Sequence, residues 1–257
     1  MRVMLFANNR VGRDVAEWLV RQEDELVALA VHSDACGKYV NEIRSACGLD
    51  EERVIDGSTL RDPSAIERIR SFEPEVGVSV FFGYILRRAL LNIFPKGCVN
   101  LHPALLPYNR GAYPNVWSII DGTPAGATLH YMDEGIDTGD ILAQREVAVT
   151  PVDTGESLYR RLEDASTSLF VESWPAFRRG DLKPKPQDRD AGTMHRVTDV
   201  DRIDRIDLDA TYTGRELINL IRARTFAGHS GAYFEHEGKR VYVSISLENH
   251  CEAANGV

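Results

Sequence analysis

The chain has 257 residues, 43% of them hydrophobic, and a formal net charge of −9 from 30 basic and 39 acidic side chains. That length supports one sizeable α/β core plus a small appended unit, and the acidic balance argues against a polyanionic nucleic acid as partner, since phosphate contacts dominate such affinity. Cys36, Cys47, Cys98 and Cys251 form no Cys-x-x-Cys pair and no metal spacing with histidine, and no apolar run is long enough for a signal or a membrane span; free buried thiols, no metal and a cytoplasmic location are expected.

In chain order, residues 2–7 read as a strand, 11–22 as a helix with Val11, Val15 and Leu19 on one stripe, and 25–31 as the next strand. Residues 41–47 and 64–71 look helical. Residues 75–82 are almost continuously Val and Phe, as a parallel strand buried on both faces requires. A short helix at 87–94 precedes a strand at 98–102. This alternation predicts a mostly parallel sheet flanked by helices, with ligands beyond the carboxyl ends of its strands. The first turn, Ala7-Asn8-Asn9-Arg10-Val11-Gly12, lacks a Gly-x-Gly-x-x-Gly fingerprint, so no dinucleotide site is expected.

The spacing predicts a long helix over 153–174, with Asp153 as cap, Glu156 at the third helical position, an apolar stripe of Leu158, Leu162, Ala165 and Leu169, and Pro175 ending or kinking it. Residues 180–192 are rich in Gly, Pro and charge and read as an extended linker. The expected division is a catalytic domain at 1–182, a linker at 183–192 and a C-terminal helix and β-hairpin unit at 193–257. In that unit 214–225 reads as a helix, and 232–236 and 239–247 as strands joined at Glu237-Gly238, with a frayed tail from Asn249.

The functional signal is Asn100-Leu101-His102 at the end of a strand, with Asp137 further on in Gly135-Ile136-Asp137-Thr138-Gly139-Asp140. Residues i and i+2 of a strand share a face, so Asn100 and His102 project together. A carboxylate from a second segment can orient the imidazole. An amide donor, an acid/base and a tuning carboxylate suit acyl transfer through a tetrahedral oxyanion. The plain alternatives are an Asn100 that pins the turn before Pro103, a His102 satisfied in the core and an Asp137 that forms a turn. His130, in an alternating segment, supports the site or the core.

Several further motifs follow in order: Leu105-Leu106-Pro107-Tyr108-Asn109-Arg110-Gly111, Tyr113-Pro114-Asn115-Val116-Trp117 and Asp133-Glu134-Gly135-Ile136-Asp137-Thr138-Gly139-Asp140-Ile141-Leu142. Together they resemble the core of the folate-dependent formyltransferases, over roughly residues 1–180 and more loosely beyond. That superfamily includes methionyl-tRNA formyltransferase, glycinamide ribonucleotide transformylase and the sugar N-formyltransferases, which this sequence resembles most. The resemblance implies a Rossmann-like sheet with a small C-terminal α+β unit. It implies catalysis by Asn100, His102 and Asp137 and transfer from 10-formyltetrahydrofolate without a metal. The loops at Tyr84-Ile85-Leu86 and Asp133-Glu134-Gly135 would hold the folate through backbone groups. Tyr108, Asn109, Arg110, Tyr113, Asn115 and Trp117 form an aromatic, amide-rich loop suited to stacking and hydrogen-bonding a nucleotide-linked amino-dideoxysugar.

The implied setting is surface polysaccharide synthesis, such as O-antigen of lipopolysaccharide, by a homodimer that meets neither membrane nor nucleic acid. The C-terminal tail is shorter than the β-barrel of the tRNA enzymes. Its Arg222, Arg224 and His229 read as a solvated helix face or as ligand contacts. Other expectations are formylation of another small amine, such as hydroxyornithine or an aminoacyl unit, formylation of methionyl-tRNA, or an inactive folate- or nucleotide-sugar-binding protein.

Overall fold

The computed structural model describes residues 1–33, 35–188 and 190–249. Five parallel strands, β1 (Arg2–Ala7), β2 (Glu25–Val31), β3 (Val54–Asp56), β4 (Val76–Val80) and β5 (Cys98–His102), alternate with helices α1 (Asn9–Leu19), α2 (Val40–Cys47), α3 (Pro63–Ser71) and α4 (Arg88–Leu91). Then come the two-residue β6 (Arg110–Gly111), α5 (Pro114–Ile120), β7 (Ala125–Tyr131), β8 (Ile141–Val147) and the long α6 (Gly155–Arg179). The C-terminal part holds β9 (Met194–His195), α7 (Asp201–Asp204), α8 (Gly214–Arg224) and the antiparallel hairpin β10 (Tyr233–His236) and β11 (Lys239–Tyr242).

The main sheet runs β3-β2-β1-β4-β5-β7-β8, with β7 and β8 antiparallel to their neighbours. Side-chain alternation divides each central strand between two cores. Val3, Leu5, Val78, Val99 and Leu101 pack with α1, α2 and α6 on one face. Met4, Phe6, Ala28, Ile69, Leu90 and Phe94 pack with α3 and α4 on the other. A third cluster joins Val116 and Ile119 of α5, Leu158 and Leu162 of α6, and Ala223 of α8.

The sequence reading of the long helix needs two corrections. Its cap is Thr154, which accepts from the Ser157 backbone N–H at 3.2 Å while the Ser157 hydroxyl accepts from Thr154 N–H at 3.0 Å. Asp153 lies one residue too early and is engaged elsewhere, accepting from Thr150 N–H at 2.6 Å and from Arg161 at 2.5 Å. The helix also continues through Pro175 to Arg179. Pro175 sits on the exposed side, and buried Trp174 and Phe177 hold the helix against the core on either side of it.

Three other readings change. Residues 114–120 form a helix rather than loop, and β11 stops at Tyr242. The stretch read as an extended linker holds no helix or named strand among its described residues, in keeping with that reading, and it is tied to the core where Lys185 exchanges backbone hydrogen bonds with Ile141 at 2.8 Å in both directions. Cys47 and Cys98 are buried as expected, with the Cys47 thiol pushed up to about 12 by burial, whereas Cys36 is exposed. Cys251 and all but the first residue of the tail expected to fray lie outside the described residues. Among the described residues, no helix is long and apolar enough to cross a membrane, and no cluster of His, Cys, Asp or Glu is fit to hold a metal ion.

Candidate active site

β5 ends at the site, and its pairing with β7 places Asn100 opposite His130 and His102 opposite Thr128. The period of two therefore brings four polar side chains to one end of one sheet face. Asp137 reaches them from the β7–β8 connection with its backbone in the left-handed region at φ 53°. Gly139 lets this connection turn back on itself, because a β-carbon there would collide with the Tyr131 carbonyl.

His102 is buried, and both of its ring nitrogens have neighbours. Nε2 lies 3.1 Å from the Asn109 carbonyl oxygen, which can only accept, so Nε2 carries a proton. Nδ1 lies 3.6 Å from Asp137 Oδ2. The same Oδ2 accepts the Gly111 N–H at 2.8 Å. Asp137 Oδ1 faces Asn100 Nδ2 at 3.3 Å and His130 Nε2 at 3.5 Å.

Burial opposes the charged form of Asp137. The His102 and His130 rings and the Gly111 N–H outweigh it and hold this carboxyl well below the usual carboxylate range. His130 Nδ1–H donates to the Tyr131 carbonyl at 2.7 Å. In the neutral ring, Nε2 then accepts from Asn100 Nδ2 at 3.2 Å. Both hydrogens of the Asn100 amide thus rest on long contacts, which a better acceptor placed at the site can replace.

Asn100, His102 and Asp137 are thus brought together, and His130 joins them as a fourth member. The alternating segment around His130 was the only sequence signal for it. Chemically, the group can donate to a carbonyl oxygen that gains negative charge and relay a proton through an imidazole steadied by a carboxylate.

The two loops read as folate-holding are neighbours, bridged by Arg88 and Glu134 at 3.6 Å. Ile85 on one and Ile136 on the other, the latter next to Asp137 in the chain, are 62% and 48% exposed apolar surface. Tyr84 is half-buried against His32, and Leu86 belongs to the second core. The Asp133 carboxylate accepts from Gly135 N–H at 2.9 Å and from the Thr138 hydroxyl at 2.5 Å, which fixes the turn, while Gly135 and Glu134 face solvent.

The aromatic loop divides differently from its appearance in sequence. Tyr113 is exposed and Tyr108 half-buried. Asn109 is fully buried and donates to Ser118 at 2.9 Å and Thr123 at 2.8 Å. Asn115 donates to the Gly155 carbonyl at 2.9 Å, and Trp117 stacks on His195 with ring centres 4.0 Å apart. The guanidinium of Arg110 donates to Gln187 Oε1 and to the Asp188 carbonyl. Arg222 is buried against the Thr150 and Asp153 carbonyls, and Arg224 pairs with Asp204 at 2.5 Å, so neither forms a solvated face.

Gln187 and Thr193, which pattern reading did not single out, touch this loop directly. Their partners are mostly backbone groups far away in sequence, and periodicity carries no such signal.

Residues 20–173 match the family model described as formyl transferase, and residues 199–249 match the one described as N-formyltransferase dimerization C-terminal domain. The chain is 37% identical over 191 residues to the methionyl-tRNA formyltransferase of Myxococcus xanthus, covering 74% of this chain and 60% of that protein. It is 38% identical over 152 residues to the dTDP-4-amino-4,6-dideoxyglucose formyltransferase of Mycobacterium tuberculosis, covering 59% of this chain and 64% of that one. The match thus spans less than two thirds of either relative. A sugar N-formyltransferase structure from a Shewanella species superposes with a TM-score of 0.83 at 26% identity, over 98% of this chain and 99% of that one.

Proposed function

The chain belongs to the formyl transferase family, and from that premise we propose that it moves the formyl group of 10-formyltetrahydrofolate onto the amine of a nucleotide-linked amino-dideoxysugar. The support for a sugar acceptor is agreement with the Shewanella sugar N-formyltransferase over 98% of this chain, with residues 199–249 also matching the N-formyltransferase C-terminal model. The exposed Ile85 and Ile136 fit a flat pterin ring that needs apolar faces. When bound, the folate supplies an activated formyl carbon.

The chain's own residues then divide the work. An Asn100 amide hydrogen turns from its 3.2–3.3 Å contacts toward the carbonyl oxygen as that oxygen gains charge. One such donor is worth about 3–4 kcal/mol in a transition state. His102, pinned through Nε2, takes the proton of the attacking amine at Nδ1 and passes it on to the leaving nitrogen. The Asn109 carbonyl keeps the neutral ring oriented through Nε2–H, and Asp137 Oδ2, 3.6 Å from Nδ1, steadies the imidazolium once the proton has arrived. Tyr108 and Tyr113 are the loop positions with side-chain surface left for the acceptor. The polysaccharide setting, the cytoplasmic location and a homodimer formed through the C-terminal unit belong to this same reading.

Formyl transfer to methionyl-tRNA is the second reading, favoured by the 37% identity to the Myxococcus enzyme. The test supplies 10-formyltetrahydrofolate with thymidine-, uridine- and guanosine-linked 3- and 4-amino-dideoxysugars, hydroxyornithine and methionyl-tRNA, and follows tetrahydrofolate release. Release with an amino-sugar nucleotide is expected. Release with methionyl-tRNA alone overturns the sugar assignment.

A further inference from the structure

The stretch between the sheet and the C-terminal unit crosses directly behind the catalytic loop. The Thr193 hydroxyl accepts from the Asn109 backbone N–H at 2.9 Å and donates to Asn109 Oδ1 at 3.0 Å. The Thr193 carbonyl accepts from Arg110 N–H at 3.0 Å, and the His195 carbonyl from Ala112 N–H at 2.9 Å, which makes the β6–β9 pair. Six residues before Thr193, the Gln187 amide donates to the Asp137 carbonyl at 2.9 Å and the Gly139 carbonyl at 2.7 Å. Its oxygen accepts from the Arg110 guanidinium at 3.1 Å.

These bonds end on the groups that orient the imidazole. Asn109 supplies the carbonyl that accepts from His102 Nε2–H, and it does so from a left-handed backbone conformation at φ 56°. Gly111 supplies the N–H that Asp137 Oδ2 accepts. Thr193 holds Asn109 by two bonds, and Gln187 ties the Arg110 side chain to the backbone of Asp137. A half-buried hydroxyl with both donor and acceptor used is held from two sides and tolerates little displacement. A displacement on the order of 1 Å at such a centre can cost roughly 100-fold in rate.

We propose that Thr193 and Gln187 are positioning residues of the active site. By this inference residues 183–188 and 190–195 act as a strap that sets the His102–Asp137 geometry from behind and links the chemistry to the C-terminal unit. The inference rests on the formyl-transfer reading only for its kinetic test. Its geometric test is independent of any substrate.

The decisive variants are Thr193→Val, which keeps shape and removes both hydroxyl bonds, Thr193→Ser, which restores them, and Gln187→Leu. In the wild type the His102 Nε2 proton, held by the Asn109 carbonyl at 3.1 Å, is expected to give a slowly exchanging downfield imidazole N–H signal in proton NMR, to be identified by its loss in His102→Gln. The proposal expects that signal to vanish or broaden in Thr193→Val and to return in Thr193→Ser. It also expects kcat to fall about 10- to 100-fold in Thr193→Val and Gln187→Leu, with KM for both substrates within about 2-fold, and to recover in Thr193→Ser. An unchanged imidazole signal and unchanged kcat in folded Thr193→Val overturn the strap, as does a kcat loss that Thr193→Ser does not repair. If the wild type turns over no acceptor, the formyl-transfer reading fails, and the NMR comparison still decides the strap.

Discussion

At the residue scale the chemistry depends on which atoms of His102 and Asp137 are already committed. His102 Nε2 is bound to a backbone oxygen, so proton traffic is confined to Nδ1. Removing the ring by His102→Ala, or the charge by Asp137→Asn, should lower kcat by about 100- to 10,000-fold, while equilibrium binding of the folate stays near the wild-type value. Steady-state kinetics paired with folate titration checks this, and an unaltered kcat in both variants would contradict the assigned roles. Asp137 also contributes to stability. Its folded-state pKa is depressed, so its contribution is complete above the unfolded carboxylate value of about 4 and is lost as pH falls toward the folded value. The Tm deficit of Asp137→Asn should therefore shrink as pH falls below about pH 4, a trend that thermal melts on the acid side will show. That Asn100 and His102 share one face was legible in the sequence because a spacing of two on a strand has a direct geometric meaning, whereas a Gly-flanked Asp by itself reads as a turn and Asp137 was singled out through the family resemblance. Gln187 and Thr193 were not, because they act on main-chain atoms whose position only the fold fixes.

At the element scale the antiparallel turn of the sheet at β7 decides the site, since pairing β5 with β7 sets His130 against Asn100. The parallel strands and their helices were readable because continuous apolar runs and stripes of period near 3.6 arise from burial on a two-sided sheet. The start of α6 was displaced by one residue, because Asp153 satisfies the same spacing rule as Thr154 and only tertiary partners distinguish them. Helix α5 was hidden by its opening Tyr113-Pro114, a pair that reads as loop, and by its seven-residue length. Two substitutions probe these elements. Thr154→Ala removes the cap of α6 and should cost about 1 kcal/mol in denaturant unfolding. Gly111→Ala should cost more, about 1–3 kcal/mol, since Gly111 adopts φ 86° and a β-carbon there meets the His195 carbonyl. Of the two, only Gly111→Ala should also reduce kcat, because the Gly111 N–H serves Asp137.

At the scale of the whole molecule the C-terminal unit is fastened on two sides of the catalytic part, in addition to the apolar contact of Ala223 with α5 and α6. Arg222 of α8 donates to the Thr150 and Asp153 carbonyls before α6, and β9 pairs with β6 beside the active site. The hairpin beyond leaves Val241 and Tyr242 40% and 54% exposed on its opposite faces, and the Val241 face is apolar area that a second copy of the chain can bury. Sedimentation of the full chain should give a dimer, and Val241→Glu should shift it toward monomer; a monomeric wild type would remove the homodimer from the reading. The two-sided anchoring also bears on synthesis. A chain leaving the ribosome holds every member of the reactive centre once residue 137 has emerged, yet Thr193 is still to be made. At the usual 5–20 residues per second, that gap lasts roughly 3–11 s. During that interval β8 and α6 emerge to complete the sheet and its core, and on the strap proposal catalytic competence waits further for the late-translated brace rather than arriving with the residues that perform the chemistry.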